Sequence, residues 1–349
     1  MYRRIRYILL AAALLFVWAV MASQERGEWY AVTVYPWLSG KLAAFSSCFP
    51  FSVGDCFIYG SVAGLLLYLA WTLVGRRPLL PALARVGEYL AWVYVWFYIA
   101  WGLNYFRADF FMRAGVAYHP YNAERFKAFL VDYTDSLNAS WIEPGMVDTS
   151  VVAQAVEAGY RRLSPRLSLA LPPDGTRPKS PLFSRLMAGV GVTGYMGPFF
   201  AEFHLNRLLL PAQYPATYAH EMAHLLGVSN EAEANLCGYL VCVGSSEPAV
   251  RFSGYLSLLP YVLSNAYQVL DKESFEAWRQ SLRPEIWLLY NEKVAYWHAL
   301  YSPLIGEIQD VTYNFFLRSH KISSGTQNYS EVISLLIAWE EGNSQSAVV

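Results

Sequence analysis

The sequence predicts a mainly α-helical protein, in which N-terminal transmembrane helices precede an α-rich domain with a small β element. Two observations predict this class. Of the 349 residues, 55% are hydrophobic and only 15% are charged, a composition too apolar for an ordinary soluble protein. Beyond the first third of the chain, apolar residues recur with the period of amphipathic helices. The helices predicted there cover residues 121–139, 148–163, 252–270, 273–302, part of 303–318, and 330–341.

Three apolar runs predict membrane helices at about residues 7–22, 53–75 and 89–106. Each run approaches or reaches the length that crosses a bilayer, roughly 20 residues. The first run also fits a cleaved signal peptide, but the two runs that follow it favour an uncleaved helix. We therefore expect a membrane domain over residues 1–107 and a second domain over residues 108–349.

The segments around these runs carry arginines on one predicted side of the membrane. Because positive residues favour the cytoplasmic side, we expect the domain after residue 107 to lie outside the cytoplasm. The predicted location is the inner (cytoplasmic) membrane, with several spans and the lipid bilayer as a partner. A net charge of −1 gives no indication of a nucleic-acid partner. The arginines are Arg3, Arg4 and Arg6 before the first run, and Arg76, Arg77 and Arg85 between the second and third.

The run His220-Glu221-x-x-His224 has the spacing of a zinc-hydrolase motif. Residues four apart lie on one face of a helix, so His220 and His224 can bind one Zn²⁺ ion, which is the predicted cofactor. Glu221 lies beside them and can act as the general base for a water molecule at that ion. Gly227 is a natural C-cap for this helix.

A third protein ligand is expected from a second helix that begins near Asn230. The run from Glu231 to Asn235 resembles the Glu-x-x-Ala-Asp/Asn pattern of gluzincins, which implies Glu231 as that ligand. Ala234 is small enough for the two helices to approach closely, and Asn235 can accept the second ring N–H of a ligating histidine. Glu233 is the alternative ligand, but with Asn230 as N-cap it also fits a capping box.

A short segment before the metal motif, residues 199–206, alternates apolar and polar residues and predicts a strand. Peptide-cleaving zinc enzymes commonly place an edge strand there, with which an extended substrate pairs. An ordinary half-buried strand explains the alternation equally well. The preceding residues 189–198 are glycine-rich and predict a turn. The candidate cleft residues are Glu202, Asn206 and Tyr255. The candidates for stabilising an oxyanion are Tyr255, His298, His320 and Tyr329.

Several stretches resemble a family of uncharacterised bacterial membrane proteins, a domain of unknown function with zincin-like features. They are Pro50–Gly54, Trp101–Tyr105, Gly194–Asn206, His220–Asn235 and Phe252–Tyr255. Through its two metal helices alone, the chain is more distantly similar to gluzincin peptidases. The resemblance implies membrane anchoring and an α-rich zincin-like domain, and it implies no particular substrate.

The expected function is therefore that of a membrane-anchored zinc peptidase acting on a peptide or protein substrate. His220, His224 and Glu231 would bind zinc, and Glu221 would take a proton from the attacking water. The alternative is a non-catalytic, zinc-binding module that serves as a membrane-anchored binding or assembly platform. A cleft that reaches Glu221 favours the peptidase, whereas an occluded metal site favours the platform.

Overall fold

Helices form most of the structure, as composition and periodicity predict. The computed structural model describes residues 2–118, 122–303 and 329–346. The N-terminal third contains α1 (Tyr2–Met21), α2 (Gln24–Trp29), α3 (Tyr35–Ser47), α4 (Val53–Val74) and α5 (Leu79–Ala100). The rest contains α6 (Phe110–Ala114), α7 (Ala123–Ala139), α8 (Thr149–Leu163), α9 (Ser184–Gly189), α10 (Tyr214–Leu225), α11 (Glu231–Val243), α12 (Pro248–Val269), α13 (Lys272–Ser281), α14 (Pro284–Leu300) and α15 (Tyr329–Ser346). A π-helical turn spans Tyr30–Val34, and 3-10 helices cover Gly102–Phe106 and Ser164–Leu167.

Side-chain caps explain where several helices begin. Asn122 and Asp148 accept hydrogen bonds from backbone N–H groups in the first turns of α7 and α8, which would otherwise lack partners. The segment 273–302 forms two helices rather than one, because Pro284 disfavours a helical conformation in the residue before it. The helix predicted within residues 303–318 lies outside the described residues, apart from Pro303.

Two of the three predicted membrane helices are long and apolar enough to cross a bilayer, namely Arg4–Met21 in α1 and Val53–Val74, which is α4. Only 6% of α4 is buried inside the protein. Its side chains at Leu66, Leu67 and Val74 are 63%, 71% and 87% exposed. α4 therefore presents apolar side chains outward over most of its surface.

The third predicted span, residues 89–106, is wrong. α5 begins earlier, at Leu79, and it contains Arg85, Glu88 and several Tyr and Trp residues whose polar groups lower its hydropathy. It ends at Ala100, and its last turns are buried in the protein core. The aromatic residues that resemble a lipid-facing helix in composition therefore pack partly against protein.

The helices α1, α4 and α5 nevertheless pack side by side. Arg6 on α1 donates a hydrogen bond of 2.9 Å to Glu88 on α5, and Arg85 on α5 donates one of 3.2 Å to the Tyr68 hydroxyl on α4. Val17 near the end of α1 belongs to the same hydrophobic core as α10 and α11. The core is thus continuous across residue 107, and the division into two domains at that residue stays a prediction.

An antiparallel hairpin connects this helical layer to the metal motif. Its strands are β1 (Gly194–Gly197) and β2 (Glu202–Leu205), with Gly194 opposite Leu205 and Gly197 opposite Glu202. β2 lies within the predicted strand, but β1 occupies glycine-rich residues that were predicted to turn. On its other side β2 bridges to Lys179, so β1 is the edge strand of the hairpin.

The first residue of β2 caps the N-terminus of α4. Glu202 accepts hydrogen bonds from the backbone N–H groups of Val53 (3.0 Å) and Gly54 (2.7 Å). Ser52 Oγ lies 3.1 Å from Glu202 Oε2 and 2.8 Å from His204 Nε2. A carboxylate at this position also interacts favourably with the helix dipole. We call Ser52, Asp55, Glu202 and His204 the capping cluster.

Candidate metal centre

Both histidines of the motif lie on α10, whose other sides are buried. Pro215 occupies the first turn, where its missing N–H costs no helical hydrogen bond. Ala219 and Met222 are fully buried in the core. The side chains of His220 and His224 are 19% and 8% exposed, and they lie one helical turn apart on the same face.

A tight turn brings α11 alongside α10. Gly227 follows α10 with a φ of 97°, a left-handed conformation that favours glycine. Asn230 then caps α11 through its side chain, as predicted. A Cβ atom on Gly238 would lie only 3.2 Å from the backbone nitrogen of His220. Gly238 and the fully buried Ala234 therefore allow the two helices to approach closely.

The structure brings together the three predicted metal ligands, His220, His224 and Glu231, which we call the metal cluster. The two Nε2 atoms are 3.2 Å apart, and Glu231 Oε2 lies 3.3 Å from His220 Nε2 and 3.6 Å from His224 Nε2. Ligand atoms about 2.0–2.2 Å from a tetrahedral zinc ion are about 3.3–3.6 Å apart. The three atoms thus form a triangle of the size that zinc needs. No other group of three potential ligands converges in this way within the described residues.

The backbone determines which nitrogen of His224 faces the other ligands. His224 Nδ1 lies 2.8 Å from the carbonyl oxygen of Val228, and because a carbonyl only accepts, Nδ1 carries a proton. In the neutral imidazole the lone pair is then on Nε2, which faces a carboxylate oxygen of Glu231. Two acceptors that face each other are stabilised by a cation or a proton between them. The donor set therefore fits a metal ion.

The electrostatics of the metal cluster favour positive charge. Burial disfavours the protonated His224 ring, but the neighbouring Glu231 outweighs burial and raises the pKa of His224 to about 9. Burial likewise opposes the charge of Glu231, yet His224 and His220 hold the pKa of that carboxyl well below its usual range. Both shifts have the same cause, the close approach of imidazole and carboxylate.

Glu221 is 4% exposed and lies beside the metal cluster. Its Oε2 atom has no hydrogen-bond partner among the described residues. Burial raises the pKa of Glu221 to about 7, in the range where a carboxylate can accept and release a proton near neutral pH. On its other side Glu221 contacts β1 so closely that a Cβ atom on Gly194 would lie 2.6 Å from Glu221 Oε1.

A cavity of about 680 Å³ opens onto these residues. The whole metal cluster and Glu221 line it, β1 forms part of its wall, and α14 contributes Lys293. The volume lies within the range of small-ligand sites. A molecule in this cavity can therefore reach the three converging ligand atoms and the Glu221 carboxylate together.

The three candidate cleft residues, Glu202, Asn206 and Tyr255, do not line this cavity. Glu202 is buried and caps α4, as described above. Asn206 donates from its amide to the carbonyl oxygens of Ser184 (2.9 Å) and Val192 (3.0 Å), so it holds the loop before β1. Tyr255 packs against the core. Alternation along a strand identifies which residues share a face, but not which distant segment that face meets.

The other predicted helper residues also have different surroundings. Asn235 lines the cavity, but its amide donates to the Tyr261 hydroxyl (2.9 Å), and the Val228 carbonyl is the group that binds the His224 ring N–H. Glu233 pairs with the buried Arg113 instead of approaching the metal cluster. Among the oxyanion candidates, His298 does not line the cavity. His320 and the side chain of Tyr329 lie outside the described residues.

Several residues at the site escaped the sequence analysis. Trp101 Nε1 donates to the carbonyl oxygen of His224 (2.9 Å), which connects the segment after α5 to α10. Gly194 leaves the space that Glu221 occupies. Among the described residues of the cavity wall, Lys293 is the one lysine, and there is no arginine. In the sequence, the Trp101–Tyr105 stretch suggests only a membrane helix and a family resemblance, and no local pattern distinguishes Lys293 from an exposed lysine.

A family model described as protein of unknown function (DUF3810) matches residues 30–337. The match covers most of the chain, so the protein belongs to this family, and the resemblance to a domain of unknown function is confirmed. No curated protein and no solved structure matches the chain.

Proposed function

We propose that this member of the DUF3810 family is a membrane-anchored, zinc-dependent peptidase. One observation carries the proposal: ligand atoms of His220, His224 and Glu231 converge at zinc-like distances in a cavity that Glu221 also lines. Two histidines and one glutamate are a donor set of catalytic zinc sites. When bound, zinc acts as a Lewis acid that makes water more acidic and polarises a carbonyl oxygen.

The residues of the chain hold the ligands and move the proton. The Val228 carbonyl keeps the lone pair of His224 on Nε2. Glu221 takes a proton from the attacking water at its unpartnered Oε2 atom and passes it to the leaving amine nitrogen. Burial and the backbone of Gly194 restrict the Glu221 side chain, which limits the conformations from which it can act.

The edge strand β1 supports a peptide as the class of substrate. Gly194, Tyr195 and Met196 line the cavity, and β1 pairs with β2 on its other side. An extended peptide can bind to such an edge through its backbone. The strand beside the metal cluster is thus the glycine-rich β1 rather than the predicted 199–206 segment.

The alternative, a zinc-binding platform without catalysis, remains a second candidate function. The observation that weighs against it is the cavity, which reaches both the metal cluster and Glu221. A purely structural zinc site is normally closed by four protein ligands. Only three candidate ligands converge here within the described residues.

Two observations support the membrane anchor. α1 and α4 meet the length and apolarity of membrane helices, and α4 exposes large apolar side chains over most of its surface. Such a surface is unfavourable in water and suits a lipid environment. Three helix ends lie on the side of the metal cluster, since Val20 of α1 is in the core, Glu202 caps the start of α4, and Trp101 follows α5.

The arginines lie at the opposite ends of these helices, so the positive-inside rule favours an extracytoplasmic metal cluster. In this arrangement α1 and α4 are the membrane helices, and α5 packs beside them with Glu88 paired to Arg6. Labelling with a membrane-impermeant maleimide tests it, after the exposed Cys48 and Cys56 are replaced by serine. We expect Met146→Cys to react in intact cells and Arg77→Cys to react only after permeabilisation. The reverse pattern would contradict the topology.

Glu221→Gln tests the catalytic proposal. We expect purified zinc-loaded protein to cleave peptides in a mixed pool analysed by mass spectrometry, and Glu221→Gln to lower the rate by about 100- to 10,000-fold. The variant should keep its zinc, because Glu221 is not a ligand. The exposed Glu273→Gln on α13 is the matched control and should cleave at the wild-type rate. Cleavage by Glu221→Gln at the wild-type rate contradicts the assigned base, and stable zinc binding without any cleavage by wild type favours the platform.

A further inference from the structure

The cavity contains a basic group that the proposed reaction does not use. Among the described lining residues, Glu221 and Glu231 are acidic and Lys293 alone is a lysine or arginine. Both acids already have a place in the proposed site. Lys293 has none, although it shares the same continuous space.

Two hydrogen bonds join the helix that carries Lys293 to the segment before α10. Tyr296 donates from its hydroxyl to the carbonyl oxygen of Leu208 (3.0 Å), and Trp297 Nε1 donates to the side-chain oxygen of Gln213 (2.7 Å). These residues lie three and four positions after Lys293, so all three share one face of α14. Gln213 immediately precedes α10 and also lines the cavity. The position of Lys293 is therefore set by contacts between α14 and the segment that leads into α10.

The ammonium group lacks a carboxylate partner within the described part of the chain. Lys293 Nζ lies 4.8 Å from the centre of the Tyr290 ring, a cation–π contact, and it forms no ion pair there. Burial lowers the pKa of Lys293 to about 8, since a charged amine is less stable away from water. An anion that entered the cavity would stabilise the charged form.

We infer that Lys293 recognises a carboxylate group of the substrate, so that the cavity selects peptides bearing a carboxylate near the scissile bond. The inference deepens the proposed peptidase function and rests on it. The carboxylate has two sources in peptides, the free C-terminus and the side chain of Asp or Glu. In both cases the Lys293 ammonium donates hydrogen bonds to an oxygen of the anion.

The single lysine favours a carboxylate over a phosphate. Phosphate sites usually combine several donors or a planar arginine fork, and the described cavity wall holds no arginine and no second lysine. A single negative charge beside Lys293 matches a cavity wall that holds one lysine and no arginine among its described residues.

Binding measurements separate this inference from catalysis. The probes are short acetylated, fluorescent peptides of Ala, Leu, Phe and Gly in three forms: a free C-terminal acid, a C-terminal amide, and an amide that contains one Glu. Their dissociation constants are measured by fluorescence polarisation with full-length, zinc-loaded Glu221→Gln protein in detergent. We expect at least one carboxylate form to bind about 10- to 100-fold more tightly than the plain amide.

Three variants in the same background identify the residue responsible. Lys293→Met should reduce the preference for the carboxylate form to about threefold or less, whereas Lys293→Arg should keep most of it. The exposed Lys272→Met on α13 removes a charge outside the cavity and should leave the preference unchanged. Tighter binding of the acid form identifies the C-terminus as the source, and tighter binding of the Glu form identifies the side chain.

Two results would overturn the inference: equal binding of all three forms by the parent protein, or an undiminished preference in Lys293→Met. Retained zinc in each variant shows that the site has folded. If wild type cleaves none of the peptides while the Lys293-dependent preference persists, the peptidase proposal fails and carboxylate recognition stands. If wild type cleaves peptides without any such preference, the inference of carboxylate recognition fails and the peptidase proposal stands.

Discussion

The capping cluster and the metal cluster contain the same kinds of side chain, yet they are built in opposite ways. Both combine histidine with carboxylates, and the hairpin touches both, through Glu202 in one and Gly194 in the other. In the capping cluster, Glu202 binds three donors, and Asp55 accepts from the Tyr195 hydroxyl (2.7 Å) and the Leu182 N–H (3.0 Å). Its carboxylate oxygens are thus occupied by the protein itself.

The metal cluster and the adjacent Glu221 leave polar atoms without partners. Glu221 Oε2 and His220 Nδ1 are buried and have no hydrogen-bond partner among the described residues. A cavity opens onto this cluster, whereas none of the four members of the capping cluster lines that cavity. Proximity of histidine and carboxylate is therefore weak evidence for a site. Buried polar atoms that lack hydrogen-bond partners beside an open cavity are stronger evidence for a site, because such atoms are costly unless a ligand compensates them.

The two buried histidines also differ in charge. For His204, burial outweighs the attraction of Asp55, 3.9 Å away, and lowers the pKa to about 4. For His224, the closer Glu231 outweighs burial and raises the pKa to about 9. The capping cluster thus holds a neutral ring, and the metal cluster attracts a cation.

Replacing Glu231 and Glu233, two acids of α11 with different roles, should give the largest contrast between loss of zinc and loss of stability. We expect Glu231→Gln to lower zinc affinity by at least about 100-fold, because the amide is a much poorer ligand than a carboxylate. Glu233→Gln should keep the zinc but cost about 3 kcal/mol of stability, since the buried Arg113 loses its ion-pair partner. Zinc titration and thermal unfolding measure the two effects. Zinc loss in Glu233→Gln alone would move the third ligand to that residue.

Acid should weaken the capping cluster through His204. The folded state disfavours the charged ring, so below pH 6.5 the unfolded chain binds a proton that the folded chain excludes. Stability therefore falls as the pH is lowered from about 6.5 towards 4, by about 3 kcal/mol in total. His204→Asn should reduce this loss in zinc-free protein, as followed by the midpoint of thermal unfolding.

The exposed His298→Asn is the control for that experiment and should retain the wild-type dependence on pH. An equal loss of stability in wild type and His204→Asn would show that other groups cause the acid sensitivity. The neutral ring of the capping cluster would then have no measurable role in it.

A smaller effect is expected when the cap of α4 is weakened. In wild type, three donors share the two carboxylate oxygens of Glu202, whereas Glu202→Gln offers them only one oxygen. We therefore expect this variant to lose about 2 kcal/mol of stability while its zinc binding stays unchanged. Thermal unfolding and zinc analysis of the same preparation check both statements. Loss of zinc in this variant would mean that the two clusters are coupled through the hairpin rather than independent.

The smallest effect should come from Asn235→Ala. Because the Asn235 amide binds Tyr261 and the Val228 carbonyl orients His224, zinc affinity should change by less than about threefold. A residue that orients a ligating histidine typically changes affinity by about 10- to 100-fold. A loss of that size in a zinc titration would restore the role that the sequence predicts for Asn235.

Local geometry explains what could be predicted from the sequence. His220 and His224 meet because the helical period places them on one face, and Glu231 joins them because Gly227 reverses the chain just before α11. These relations depend on residues close together in sequence. The apolar composition of the stretch that forms α4 likewise predicts a helix whose surface is apolar over its whole length.

The errors arise where a residue meets a distant segment. Glu202 contacts Ser52 and Gly54, which lie about 150 positions away, and no local pattern records that pairing. Composition places residues 89–106 in lipid because Trp and Tyr count as hydrophobic, although Trp101 makes a buried hydrogen bond to His224 on α10. Lys293 escapes prediction for the same reason, since the residues that line the cavity with it are distant in sequence.

The contacts around Gly194 predict which residue relatives of this chain carry at the aligned position. A side chain there would overlap both Glu221 and the backbone oxygen of His204, so it would force the hairpin away from α10. An aligned relative that keeps the acid and this hairpin geometry should therefore keep the glycine. A larger residue at position 194 would mark a relative in which the wall of the cavity beside residue 221 is built differently.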